Sequence, residues 1–318
     1  LPTFYADFAA MQAGDPNYRS TTRDVARLLN ELKAEKIDGL VVDLRNNGGG
    51  SLTEANTLIG LFIETGPTVQ VQNANKEVEL MGDSDSAVAY DGPLVVMTNR
   101  LSASAAEIFA GAMQDYGHGL VVGSTTFGKG TVQSLRPLNH GELKLTEAKF
   151  YRISGASTQH KGVEADINFP NVFQGSDIGE SALENALVWD TIPPARYLPY
   201  SGFSLQLATL KTKSQQRQEN DPDFKYLAAQ IELAESLKKE TIISLNEAKR
   251  KKEEAELDDK RLAIENTRRV AKGQEPLKTW REVEAANEED KDDELADPSK
   301  KDKPEDEAFV KEAAEILL

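Results

Sequence analysis

Leu40-Val41-Val42-Asp43-Leu44-Arg45-Asn46-Asn47-Gly48-Gly49-Gly50-Ser51-Leu52-Thr53-Glu54 is the stretch from which the fold reads outward. Its first five residues are almost wholly apolar, the pattern of a strand buried on both faces. A glycine run follows, and then Ser51 and Glu54 stand at capping-box spacing, which predicts a helix running to about residue 63. Upstream, Val25, Leu28, Leu29 and Leu32 recur at i, i+3, i+4 and i+7, so residues 22–36 read as an amphipathic helix closed by Gly39. Downstream, 93–97 and 120–122 read as further buried strands. Between them 104–116 reads as a helix, with Ile108, Phe109, Ala112 and Met113 on one side. Residues 131–135 and 143–151 look extended, the latter alternating. Strands and helices in this order predict an α/β layer structure.

Composition narrows the function. The 318 residues carry 37 Lys and Arg against 53 Asp and Glu, a formal charge of −16, which argues against a general nucleic-acid binder. No apolar run reaches the 18 or so residues of a membrane span, so no integral membrane segment is expected. The absence of cysteine removes disulfides, thiolate metal sites and a cysteine nucleophile. His118, His140 and His160 are scattered and form no HExxH pattern, which disfavours a zinc hydrolase. The opening LPTFYADF lacks an initiator Met and a signal-like region, and reads as the start of a mature fragment.

Composition also shifts along the chain. Residues 1–175 are rich in glycine and modest in charge, 176–200 read as a linker with turn chemistry, and 201–318 read as a charged, mainly helical domain. In the last part Asp221-Pro222-Asp223 is a start signal for a helix bearing Leu227, Ile231, Ala234 and Leu237. The pattern continues more thinly through Ile242, Leu245 and Ala248 toward Ile264. Residues 282–307 hold 13 acidic and 4 basic side chains, which predicts a solvated, mobile segment before a short apolar helix at 308–318.

Three Gly- or Ser-rich points follow predicted strands, where open α/β folds place ligands: 46–51, 102–107 and 126–133. In the middle one, Ser102 or Ser104 stands at a strand-to-helix turn, near free backbone N–H groups. Such a serine either caps the helix or acts as a nucleophile. Lys129 lies 25 residues beyond Ser104, between Gly128 and Gly130, a setting that a tight turn alone also explains. Directed into a closed site, a lysine moved from about 10.4 to about 7 stands roughly 4–5 kcal/mol from its ordinary balance. A neutral amine of that kind takes the proton from a serine attacking a carbonyl. Gln133 carries an amide oxygen able to orient it. The glycine run either binds an oxyanion or only turns the chain. A rival P-loop reading of 123–129 fails on two counts. Gly130 stands where a magnesium-binding hydroxyl is needed, and 131–135 reads as a strand, not a helix.

Taken together, Val42–Gly50, Ser102-Ala103-Ser104-Ala105-Ala106-Glu107-Ile108-Phe109 and Phe127-Gly128-Lys129-Gly130-Thr131-Val132-Gln133 resemble the C-terminal processing, or tail-specific, serine proteases of the S41 type. Lys161-Gly162-Val163-Glu164-Ala165-Asp166-Ile167 resembles a further block of that family, with Ala165 where proline is usual. The charged C-terminal part is similar, more weakly, to that of the Prc (tail-specific protease) subgroup. The resemblance implies a crotonase-like spiral of ββα units followed by a mostly helical region. It implies Ser104 as nucleophile, with Ser102 its neighbour, Lys129 as general base and Gln133 as orienting partner. It implies an oxyanion hole from the N–H groups of Gly49 or Gly50 and Ala105, and supporting places for Glu107, Asp115 and Thr126. It implies a cofactor-free and metal-free serine endopeptidase of the periplasm, acting on protein or peptide substrates with apolar C-terminal tails. Adaptor binding or self-association would fall to the helical C-terminal region. Family members carry a PDZ domain ahead of this core. No such segment is read here, since residues 1–5 look like the first strand after it. The alternative is an inactive or gated peptidase-like scaffold.

Overall fold

The computed structural model describes residues 1–171, 173, 178–200, 203–286 and 304–318. Strands β1 (Leu40–Asp43), β4 (Leu94–Thr98), β5 (Gly119–Gly123) and β8 (Ile167–Asn168) form a parallel sheet in the order β1-β4-β5-β8. Leu40 pairs with Leu94 and Leu94 with Gly119, so the carboxyl ends of the first three strands lie level. Every residue of β4 and β5 is buried, as their unbroken apolar runs require. A second, antiparallel sheet has the order β3-β2-β7-β6, from β2 (Gly66–Asn73), β3 (Val78–Asp83), β6 (Thr131–Pro137) and β7 (Glu142–Tyr151). The α/β class expected from the sequence is the one observed, followed by a mostly helical region. Residues 66–83, for which no element was foreseen, form the β2–β3 hairpin.

Four helices accompany the sheets: α1 (Phe8–Gln12), α2 (Thr21–Ala34), α3 (Leu52–Gly60) and α4 (Ala105–Tyr116). Ser51 caps α3 by accepting from Glu54 N. Leu58, Ile59, Phe62 and Ile63 meet Ile108, Phe109, Ala112 and Met113 of α4 in the core. The Phe62 and Phe109 rings pack edge-to-face at 5.5 Å. The first residues contribute isolated bridges, Phe4 to Gly50 and Ala6 to Ser20, and no continuous strand.

Chain contacts divide the protein into two units, one of residues 1–169, 173–211 and 313–318, the other of 170–172 and 212–312. The described part of the segment read as a linker, 178–200, holds a short 3-10 helix at Glu180–Ala182, and its later part is fastened within the first unit. Thr191 bridges to Ala156, Ala195 N donates to Ile153 O, and the Tyr197 ring lies 5.3 Å from that of Tyr116. After α5 (Leu207–Asn220), Asp221 of the second unit caps α6 (Pro222–Lys238), which α7 (Glu247–Ala271) accompanies. Asp223 accepts from Arg268 Nε (2.6 Å) and Lys272 Nζ (2.9 Å), joining the two helices. The expected continuous periodicity from Leu237 toward Ile264 is interrupted at 240–246. Thr241, Ile242 and Ile243 are β-branched in succession, and Asn246 caps the new helix by accepting from Lys249 N. A last helix, α8 (Pro304–Leu317), covers most of the apolar stretch foreseen at the end of the chain. Of the acidic stretch 282–307, residues 287–303 lie outside the described residues.

Gly50 shows how tightly the glycine run is held. Its φ is +143°, and a Cβ there would fall 2.2 Å from Phe4 O. Gly50→Ala is expected to lower stability by about 1–3 kcal/mol from backbone strain alone. A fall in the urea midpoint checks it, and an unchanged midpoint refutes it.

Candidate active site

The turns after β1, β4 and β5 converge on one cleft of about 350 Å³, lined by Gly50, Ser104, Ala105, Lys129, Gln133 and Lys144 with apolar walls from Leu52, Ile108, Val132 and Phe150. The sheet register makes this convergence possible, because level strand ends bring turns distant in sequence to one edge.

Ser104 is the residue before α4, with φ 58° and ψ −115°. For a residue with a Cβ this costs about 1–3 kcal/mol and persists only where the surroundings enforce it. Three contacts do so. Ala103 N donates to Asn47 O (2.9 Å), Ser104 N donates to Glu107 Oε2 (2.8 Å), and Gly49 packs so closely that a Cβ on it would lie 2.8 Å from Ser104 Cβ. Ser102 is fully buried; its hydroxyl donates to Leu44 O (2.7 Å) and accepts from Asn99 N (3.0 Å). The two serines left open as nucleophile or cap thus stand in different settings, one lining the cleft and one inside the scaffold.

Glu107 is fully buried, and its carboxylate faces four donors. Oε2 accepts from Ser104 N and from Lys129 N (2.9 Å); Oε1 accepts from Gly128 N (2.7 Å) and from the Thr126 hydroxyl (2.6 Å). One oxygen therefore bridges the backbones of the serine and the lysine across 25 residues of sequence. Thr126 is fixed in turn by Val163 N, which donates to its hydroxyl oxygen at 2.7 Å. Burial pushes the Glu107 carboxyl up to about 7, against the pull of its donors toward the charged form.

Lys129 sits on a turn whose flanking glycines have a steric reason. A Cβ on Gly128 would fall 2.8 Å from His160 C, and one on Gly130 would fall 2.8 Å from Gln159 N. Gly130 N donates to Gln159 Oε1 (2.8 Å), and Gln159 Nε2 donates to the buried Glu180 (3.0 Å). Burial holds the Lys129 ammonium below the ordinary lysine range, the nearby charge of Lys144 adds to this, and Glu180 and Glu107 oppose it. Among the described residues, no hydrogen bond joins the Ser104 hydroxyl to the Lys129 amine. Gln133 lines the same cleft at a register break in β6, with its amide donating to Thr146 Oγ1 (3.3 Å).

The expected N–H donors differ in their engagement. Gly49 N donates to Oδ1 of the fully buried Asn47 (2.8 Å), whereas Gly50 and Ala105 line the cleft beside Ser104. Asp115 is not among the cleft-lining residues. It stands about 16 Å along α4 from Ser104 and accepts from Arg152 Nε (3.1 Å) and the Ser154 hydroxyl (3.0 Å), tying the helix to the chain after β7. Sequence reasoning did not find Lys144, Asn47, Gln159 or Glu180. Their roles depend on strand register and on turns that come together only in the fold.

The geometry of Glu107 has a measurable consequence. Glu107→Gln turns an amide N–H toward donors, and one orphaned buried group costs about 1–3 kcal/mol. The folded-state value of Glu107 lies above the ordinary 4.5. Its contribution to stability is therefore complete below about pH 4.5 and is lost as pH rises through about 7. The stability difference between wild type and Glu107→Gln, from urea unfolding, is expected to shrink by about 3 kcal/mol between those pH values. A difference that stays flat or grows contradicts this.

Comparison with known proteins gives the family. The model of peptidase family S41 matches residues 3–169, and that of the C-terminal domain of tail specific protease matches residues 173–318. The Tail-specific protease of Haemophilus influenzae is 44% identical over 273 residues, covering 82% of this chain and 39% of that protein. The Carboxy-terminal-processing protease of Bartonella bacilliformis is 36% identical over 162 residues, covering 48% of this chain and 37% of that protein. Among solved structures, a photosystem II D1 C-terminal processing protease matches with 30% identity and a TM-score of 0.46, covering 53% of this chain and 41% of that one. The chain thus spans about two fifths of the length of these two curated relatives. With the first family match extending over more than half of its residues, the chain belongs to peptidase family S41.

Proposed function

We propose that this chain carries the catalytic core of a serine endopeptidase in which Ser104 is the nucleophile and Lys129 the general base. The observation that carries the reading is the shared bond partner: one oxygen of Glu107 accepts from the backbone N–H of both residues, and both line one cleft. With the Lys129 amine neutral, it takes the Ser104 proton as Oγ attacks the peptide carbonyl. The oxyanion formed is met by the N–H groups of Gly50 and Ala105, the latter at the positive end of α4. Lys129 then gives its proton to the departing amine, leaving an acyl-enzyme that water hydrolyses. Gln133 orients the amine in the closed site.

Leu52, Ile108, Val132 and Phe150 favour apolar side chains in the cleft. Protein substrates chosen by apolar C-terminal tails, a periplasmic location, and an adaptor or second copy bound by the helical region belong to the same proposal and rest on the family likeness. Among the described residues no helix is long and apolar enough to cross a membrane. The unmade Ser104–Lys129 bond favours a second reading, a core whose dyad is gated and closes only with substrate.

Cleavage of an unfolded protein with an apolar tail tests the proposal. Ser104→Ala and Lys129→Ala are each expected to lower the rate about a thousandfold or more. Undiminished cleavage in either refutes the dyad. A fluorophosphonate probe is expected to label Ser104; an unlabelled chain that also fails to cleave favours the inactive scaffold. Lys129 works as the neutral amine, so the rate is expected to rise with pH through its depressed value. Lys144→Gln removes a like charge and is expected to move that rise to higher pH. A rise that moves to lower pH contradicts the assignment.

A further inference from the structure

Among the described residues, the cleft around Ser104 is lined by two lysines, Lys129 and Lys144, and by no carboxylate, in a chain of net charge −16. Lys144 belongs to β7, paired with Leu135, and Gln133 is paired with Thr146. Successive side chains alternate along a strand, so Lys144 and Thr146 emerge on one face, the face that also carries Gln133. Lys144 thus reaches the cleft from the same side as Gln133. Among the described residues it makes no ion pair and no hydrogen bond. Its charge repels the lysine that must act as base, and among the described residues no side-chain partner of Lys144 offsets that repulsion. An arriving anion would do so.

We propose that Lys144 is a specificity-determining residue that holds a carboxylate of the bound peptide beside Ser104. Such a carboxylate comes from an Asp or Glu side chain flanking the scissile bond or from the peptide's own C-terminus. The inference rests on reading the cleft as a peptide site. It deepens that reading by naming a charge that the substrate brings. The apolar walls accept the side chains of the peptide, while the ammonium selects for its charge. At an exposed position the ion pair is modest and screened by salt.

Binding separates this claim from turnover. Fluorescent peptides with apolar residues are made with Glu or Gln at each position in turn, and with a free carboxylate or an amide at the C-terminus. Their affinities are measured by anisotropy on the full chain carrying Ser104→Ala. At least one carboxylate is expected to tighten binding about three- to tenfold over its neutral counterpart, the range of a surface ion pair. That preference is lost in Ser104→Ala/Lys144→Gln, kept in Ser104→Ala/Lys144→Arg, and reduced as salt is raised. The Glu/Gln contrast identifies a side-chain source and the acid/amide contrast a terminal one. Equal affinity for charged and neutral peptides, a preference that survives Lys144→Gln, or no binding of any peptide overturns the proposal. Failure of the wild type to cleave the peptides would instead count against the protease reading, whatever the binding ratio.

Discussion

The Glu107 carboxylate joins the two halves of the candidate site. It lies in the first turn of α4, so it can reach back to the N–H of Ser104, and it also faces the N–H groups of Gly128 and Lys129 on the turn after β5. Among the described residues no other atom accepts from the backbones of both Ser104 and Lys129. A fully buried carboxylate is costly unless its oxygens are satisfied, and here backbone groups and Thr126 satisfy them. The arrangement holds Ser104 in a backbone conformation that a residue with a side chain otherwise avoids. It also fixes the place from which the Lys129 side chain enters the cleft. Strain at the serine and burial at the lysine are then parts of one structure, held by one group.

Charge is distributed unevenly around this point. Residues 282–307 account for −9 of the −16, so the acidity belongs mainly to the tail region and not to the cleft. Among the described residues lining the cleft the charged ones are Lys129 and Lys144, and the acids that act on Lys129 stand behind it: Glu107 under the turn and Glu180 through Gln159. An amine pressed by burial and a neighbouring ammonium, yet steadied by two carboxylates behind it, is suited to gain and lose a proton during a reaction. Asp115 contributes differently. Its bonds to Arg152 and Ser154 anchor the far end of α4, and with it the axis on which Ser104 is mounted.

Much of this was legible in the chain. Apolar runs located β1, β4 and β5, and the Ser51–Glu54 spacing located the start of α3, because burial and capping are local consequences of residue type. The hairpin at 66–83 escaped notice because its β3 half, Val78–Asp83, is largely exposed and has no strong alternation. The thin periodicity expected to continue beyond Leu237 is broken between two helices, since three β-branched residues in succession outweigh it. At the site, Ser104, Lys129 and the glycine run were recognisable as residue types at turns. Glu107 was visible as a first-turn acid, but its four donors come from places 3 to 22 residues away. The engagement of Gly49 N by Asn47, and the presence of Lys144 in the cleft, follow from pairings that no local pattern encodes.

The central claim is that Ser104 and Lys129 form one reacting pair held by Glu107. A crystal structure of the chain with a peptide boronate tests it most directly. The account predicts a boron–oxygen bond to Ser104 Oγ, with Lys129 Nζ within about 3.2 Å of that oxygen and both Glu107 oxygens still bonded as described. A boronate attached elsewhere, or bound to Ser104 with the lysine amine turned out of hydrogen-bond reach, would contradict it.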